Sequence, residues 1–390
     1  MLSKKSQVLG ESITLAITAL ANELKAKGED VISFSAGEPD FDTPQALKDA
    51  AIFAIQKGCA QYTPIAGIKE LLDAIKIKLE RDNKLVYKTS EIITNVGAKH
   101  SFFQCIECLI DADEEAIIPA PYWVSYPEMV KYAGGRPVFV KTKEENGFKM
   151  TPRELENSLS DKTKILILNS PSNPAGCIYS KDELKALSQV LQGTKVIVLS
   201  DEMYEKIRYD GVAFHAFASV SEDALQRTVT INGLSKCGAM PGWRFGYMAS
   251  KNKALISAVK KLQGQSTSNI CSITQHAAIP ALLGACDADI EAMRSAFQNR
   301  RDKALEILNQ IPKISVYKPE GAFYLFVNIS KIQSDSMKFC KELLEDKKVA
   351  VVPGVSFGMD GYFRLSYATS EESILRGLER LKNFIENYKI

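Results

Sequence analysis

Between residues 91 and 250 the chain alternates short apolar runs with longer stretches whose apolar positions recur at helical spacing. The runs fall at 92–96, 115–119, 136–140, 164–169, 195–200, 228–231 and 246–249, and they predict seven strands. Two of them, Ile165-Leu166-Ile167-Leu168 and Val196-Ile197-Val198-Leu199, show no polar alternation. Unbroken runs of that length fit strands covered on both faces. Helices are expected over 99–110, 122–132, 152–159 and 181–191. Strand-then-helix repetition predicts an α/β fold, with a large domain built on a mainly parallel seven-stranded sheet flanked by helices. In open sheets of this kind, ligands bind at the carboxyl ends of the strands.

The flanking segments read differently. Residues 11–27 predict a helix with Ile13, Ala16, Ile17, Leu20 and Leu24 on one face, and Ser12 and Thr14 lie at its start. A turn-rich loop over 36–44 follows, in which Thr43 and Pro44 have the chemistry of a helix cap and first helical residue. Helices are expected from there to about 57 and over 68–82. After 285 a long helix (287–310) precedes strands at 315–317, 322–328, 349–352 and 362–367, with helices at 334–345 and 371–388. That pattern predicts a smaller α+β domain.

Composition narrows the function without naming it. A net charge of +2 leaves no basic surplus for nucleic acid or an anionic membrane. The first ten residues carry lysines with no apolar run behind them, so no signal peptide is expected. The longest uncharged stretch, 262–286, is broken by polar residues and proline and does not read as a membrane helix. Eight cysteines read as buried or idle thiols in a reducing cytoplasm. Cys105 and Cys108 form a CxxC inside an apolar helical run, with no second pair or nearby histidine to complete a metal set. The three histidines show no metal-ligand spacing. Cys237 stands apart, because a thiol next to the cation Lys236 has the surroundings of a reactive one.

Candidate chemistry collects at the strand ends. Lys236 lies on a glycine-containing turn between two strands, with Arg244 eight residues on. A lysine and an arginine on such a hinge suit an anionic, carbonyl-bearing ligand, and a solvated surface loop is the simpler alternative. Asp201 follows a buried strand, where a carboxylate needs a partner such as a cationic ring nitrogen or must cap a helix. Tyr204, one helical turn on, reaches the same place. Asn173 sits in a turn fixed by Pro171, Pro174 and Gly176. Residues 95–100 form a strand-to-helix turn whose backbone N–H groups suit a phosphate. Arg364, inside a strand, calls for an anion, either a ligand carboxylate or a structural salt bridge.

Taken in order, Asn173, Asp201, Tyr204, Ser235-Lys236 and Arg244 resemble the signature of the class I aminotransferases, pyridoxal-phosphate enzymes of the aspartate aminotransferase fold (fold type I). The likeness runs from Ala36-Gly37-Glu38-Pro39-Asp40-Phe41 to Arg364-Leu365-Ser366-Tyr367-Ala368-Thr369. Pro121-Tyr122-Trp123-Val124-Ser125-Tyr126-Pro127 and Val352-Pro353-Gly354 bring it closer to the bacterial aspartate and aspartate/prephenate branch. The resemblance implies an N-terminal arm with part of the small domain at 1–44, a large cofactor-binding domain at 45–285 and a small C-terminal domain at 286–390.

It also implies roles. Lys236 would carry pyridoxal 5′-phosphate covalently and move the proton of the substrate α-carbon. Asp201 would pair with the ring nitrogen, Tyr204 and Asn173 with the ring oxygen, and Trp123 would stack on the ring. Ser235, Arg244, Ala98 and Lys99 would bind the phosphate, and Tyr62 would reach the phosphate of a second subunit in a homodimer. Arg364 would clamp the substrate α-carboxylate beside Gly37 and Asn173. Lys99 and the Ser12-Ile13-Thr14 segment would read a distal carboxylate. Ala98 replaces a glycine common in the family, and Gly10 stands where prephenate-active relatives tend to carry a basic residue. The expected reaction is amino transfer from L-aspartate to 2-oxoglutarate. Alternatives on the same fold are transfer from aromatic, branched or other amino acids or to prephenate, C–S lysis, decarboxylation, and non-catalytic binding.

Overall fold

The computed structural model describes residues 2–10 and 13–388. Its strands, in chain order, are β1 Ile32–Ser33, β2 Ile92–Val96, β3 Glu115–Ala120, β4 Arg136–Lys141, β5 Thr163–Asn169, β6 Ile197–Asp201, β7 Thr228–Gly233, β8 Phe245–Ser250, β9 Ser315–Val316, β10 Tyr324–Asn328, β11 Val349–Ala350, β12 Val352–Pro353 and β13 Tyr362–Ser366. All seven strands expected between 91 and 250 join one sheet, ordered β2-β8-β7-β6-β5-β3-β4. β8 runs antiparallel to β2 and β7, and the other pairs are parallel. The apolar runs are covered on both faces. In β5, Ile165 and Ile167 join one buried cluster and Leu166 and Leu168 another, so alternate side chains serve opposite layers.

The remaining strands form a four-stranded antiparallel sheet, β12-β13-β10-β9, and a parallel pair, β1-β11. The single strand expected at 349–352 is therefore two. Val349–Ala350 pairs with β1, whereas Val352–Pro353 pairs with β13. Two long helices, Lys253–Ser266 and Ser272–Leu282, went unforeseen, as did the short ones at Lys4–Gln7 and Glu222–Arg227. Helix Ser272–Leu282 has little charge to mark a polar face, because it packs between helices Gln45–Gln56 and Lys69–Asn83. The helix expected from 122 begins at Ser125, because the Tyr122 N–H turns aside to the Phe357 carbonyl, 3.1 Å away.

Thr43 does not cap its helix. Its hydroxyl instead donates to the Ala239 carbonyl at 2.8 Å, tying the N-terminal segment to the loop after Lys236.

Behind that loop lies a buried charged group. Lys78 pairs with Glu205, and Asn83 donates to Glu205 at 2.7 Å. Glu202 shares the pocket of charge. Burial first, then the Glu205 charge, pushes its carboxyl up to about 8. The folded state thus keeps a proton that the unfolded chain releases near 4.5. Stability from this group is complete below that value and is lost as pH rises toward about 8. Glu202→Gln should flatten the fall in unfolding free energy between pH 5 and 8 by up to about 1.4 kcal/mol per pH unit. Urea titrations at several pH values check it, and equal slopes for variant and wild type would contradict it.

Candidate active site

Five strand ends of the large sheet meet at one cavity of about 430 Å3. β6 delivers Asp201 as its last residue, and β5 ends in Asn169. β7 ends at Gly233, two residues before Ser235 and Lys236. β2 leads through Gly97 into helix Ala98–Leu109, and β3 leads to Trp123. Arg364, from the centre of the small sheet, closes the opposite wall. Of the candidate residues, Gly37, Ala98, Lys99, Trp123, Asn173 and Asp201 line this cavity, as do Tyr204, Ser235, Lys236, Arg244 and Arg364.

Lys236 sits between the two walls. Its ammonium donates to the Gly37 carbonyl. Burial, then the Arg364 charge, holds its pKa down to about 8. An amine in that range is about one-tenth neutral at pH 7, which an ordinary lysine is not. The surface-loop alternative therefore fails for this lysine.

Asp201 is 7% exposed and lies inside the cavity wall. Tyr126 donates to one carboxylate oxygen at 2.5 Å, and the Met203 N–H donates to the other at 3.1 Å. Burial outweighs these bonds and pushes the carboxyl up to about 6. No helix follows Asp201, so it is not a cap, and Tyr204 reaches the cavity from a turn rather than a helical turn.

The phosphate-like corner is built from backbone. The helix Ala98–Leu109 begins at Gly97, whose φ of +75° suits glycine, and no side chain caps its first N–H groups. A Cβ on Gly97 would lie 2.5 Å from Arg244 Nη2. A Cβ on Gly246 would lie 2.3 Å from the Ala98 nitrogen. Two glycines thus admit a guanidinium and a helix N-terminus to the same corner, where dipole and charge both favour an anion. Arg244 is steadied by the Pro241 carbonyl at 2.8 Å. The Lys99 ammonium lies 5.0 Å over the Trp123 ring, and burial with the Arg244 charge lowers its pKa.

Arg364 is 3% exposed and has no carboxylate partner among the described residues. It donates to Asn173 Oδ1 and to the Ser35 carbonyl, each at 3.0 Å, and its Nε has no partner. Among the described residues, therefore, no structural salt bridge accounts for Arg364. Asn173 is held in place by its own N–H, which donates to Asn169 Oδ1 at 2.8 Å.

Three expectations fall elsewhere. Tyr62 is 90% exposed and does not line the cavity. Ser12 lies outside the described residues, as does the side chain of Thr14. Cys237 points away from the cavity into the layer behind, where burial pushes its thiol up to about 12, so the reactive reading fails. Tyr126, Asn169 and Tyr324 escaped notice. Asn169 ends an apolar run and was visible there, but the tyrosines read as core aromatics until the sheets came together.

The comparisons with known proteins agree with this geometry. The family "Aminotransferase class I and II" matches residues 29–381. The chain is 46% identical over 392 residues to an aspartate aminotransferase of Bacillus subtilis, covering 99% of each. It is 45% identical over 397 residues to a probable aspartate/prephenate aminotransferase of Rickettsia conorii, covering 99% of this chain and 98% of the other. The crystal structure of an aspartate aminotransferase from Rhizobium meliloti superposes over the whole of both chains, with a TM-score of 0.96 and 39% identity. With a family match over residues 29–381 and relatives 45–46% identical along almost the whole chain, this chain belongs to the class I and II aminotransferases.

Proposed function

We propose that the protein is an aspartate aminotransferase, using pyridoxal 5′-phosphate to move the amino group of L-aspartate to 2-oxoglutarate and giving oxaloacetate and L-glutamate. The observation that carries this reading is the meeting of Lys236, Asp201 and Arg364 in one cavity. The residues present fit the cofactor. The glycine-cleared corner has the donors for a phosphate, from Ser235, Arg244 and the N–H groups of Ala98 and Lys99. Asp201, costly to bury as an anion, gains a partner if a protonated ring nitrogen faces it. Trp123 would stack on the ring, and Tyr204 and Asn173 would hold its oxygen.

When bound, the cofactor supplies a carbonyl carbon for the amino group and a ring that takes up the electrons freed at the substrate α-carbon. The chain supplies the rest. Lys236, partly neutral near pH 7, would act first as a nucleophile and then as the base that takes the proton from the substrate α-carbon and delivers it to the cofactor's former carbonyl carbon. The Gly37 carbonyl keeps its amine aimed across the cavity. Arg364 and Asn173 fix the α-carboxylate, which holds the α-hydrogen in one orientation.

Lys99 and the Thr14 segment are the proposed readers of the distal carboxylate. Lys99→Ala should lower kcat/KM for aspartate by about 10- to 150-fold, from the 1.5–3 kcal/mol of a charged hydrogen bond. Rates with aromatic or branched donors should change by less than about threefold. A panel of amino donors, with 2-oxoglutarate and prephenate as acceptors, measures both, and equal losses would remove Lys99 from substrate choice. Prephenate is included because the Rickettsia relative's name joins it to aspartate.

A homodimer is part of the same reading. Tyr62 does not line its own cavity, and it and Ile52, Phe53 and Ile55, close by in sequence, are all exposed large apolar side chains of the kind a second subunit would cover. Sedimentation should return twice the 43.1 kDa of one chain, and a monomer at micromolar concentration would contradict it. Eight unpaired thiols suit a reducing cytoplasm.

A further inference from the structure

We propose that Tyr324 is a positioning residue that ties the carboxylate clamp to the cofactor's ring oxygen, its ring face supporting Arg364 and its hydroxyl holding Tyr204. This rests on the roles proposed above for Arg364 and Tyr204. Tyr324 is fully buried yet lines the cavity. The Arg364 guanidinium carbon lies 4.4 Å from its ring centroid. Its hydroxyl is 2.9 Å from the Tyr204 hydroxyl. The Tyr204 ring meets it edge to face, with centroids 5.9 Å apart.

Tyr324 begins β10, and its neighbour across the ladder is Ser366, two residues from Arg364 on β13. Tyr204 comes from the turn after β6, in the large sheet. One side chain therefore joins residues carried by two different sheets. The two contacts use different parts of it. A quadrupole face holds a desolvated cation, and removing the ring leaves that cation with two neutral acceptors and the Phe357 face. Either hydroxyl of this pair can donate; once Tyr204 turns its proton to a third oxygen, the Tyr324 hydroxyl is left as the donor to Tyr204, and removing it makes Tyr204 a poorer donor. A core tyrosine that only filled space would need neither contact.

The two parts separate by substitution. Tyr324→Phe keeps the ring and deletes the hydroxyl, and Tyr324→Leu deletes both. The cofactor-loaded enzyme is titrated with succinate, a dicarboxylate without an amino group, and its visible absorbance is followed against pH without ligand. For Tyr324→Phe, succinate affinity should stay within about twofold of wild type. The apparent pKa of the visible band should rise by about 0.4–1 unit, the range for one neutral hydrogen bond. For Tyr324→Leu, succinate should bind about 5- to 30-fold more weakly, the range for a cation over an aromatic face. A Phe variant whose succinate affinity falls more than fivefold would overturn the inference, since the hydroxyl would then bind the ligand itself. An unmoved visible band in that variant would also overturn it, and this arm decides even if the Leu variant does not fold. Wild type that takes up no cofactor would overturn both this inference and the function it rests on, whereas an intact wild type leaves the Tyr324 variants to decide alone.

Discussion

Lys236→Ala is expected to lower kcat for aspartate transamination by at least about 10,000-fold. Removing a positioned proton-transfer group alone costs about 100- to 10,000-fold, and here the same amine is also the nucleophile. The lysine lines the cavity together with Asp201 and Arg364, and the charges of both act on its amine. Lys99, the other lysine lining the cavity, lies over the Trp123 ring at the anion corner. Stability should not fall with activity. The substitution removes a desolvated cation and one hydrogen bond to a backbone carbonyl, and it relieves repulsion with Arg364. Thermal unfolding close to wild type, with turnover gone, is the expected pair of results. Wild-type turnover in the alanine variant would place the chemistry elsewhere.

Arg364→Leu should separate binding from folding in the same way. The guanidinium is buried with no carboxylate partner among the described residues, and burial holds its pKa below the usual range. In the proposed role, a substrate carboxylate would complete the fork at the Nε, which has no hydrogen-bond partner. Deleting the cation should weaken substrate carboxylate binding by about 2–5 kcal/mol, which raises KM or lowers kcat/KM by roughly 30- to 5,000-fold. The substrate-free variant should be no less stable than wild type, because replacing an unpaired buried charge with an apolar side chain is neutral or favourable. Arg364→Lys should fall between the two, since it keeps the charge and loses the planar fork. Steady-state kinetics beside urea unfolding measures both effects. An unchanged KM would show that the carboxylate binds elsewhere.

What could be read before the fold was known follows from how each signal is encoded. The strands of the large sheet were legible because burial on both faces leaves unbroken apolar runs, as at Ile165 to Leu168. Helix Ser272–Leu282 was not, because a helix enclosed by two others has no polar face to mark its period. The split of 349–352 into two strands was invisible, because which sheet a residue joins depends on partners far away in sequence. At the site, Asp201, Lys236 and Asn173 announced themselves as polar groups at strand ends. Tyr324 and Tyr126 did not, since a tyrosine in an apolar run looks the same whether its hydroxyl meets a core neighbour or a functional partner. Thr43 looked like a helix cap by local chemistry, and a carbonyl from the Lys236 loop claimed its hydroxyl instead.

The measurement that tests the central claim most directly is a single half-reaction. The purified protein, loaded with pyridoxal phosphate and freed of excess, is mixed with L-aspartate and no acceptor. Transamination through Lys236 predicts loss of the visible absorbance with one equivalent of oxaloacetate per site, no ammonia and no carbon dioxide, and recovery of the absorbance on adding 2-oxoglutarate. Ammonia or carbon dioxide in place of oxaloacetate, or a spectrum that aspartate leaves unchanged, would contradict the account.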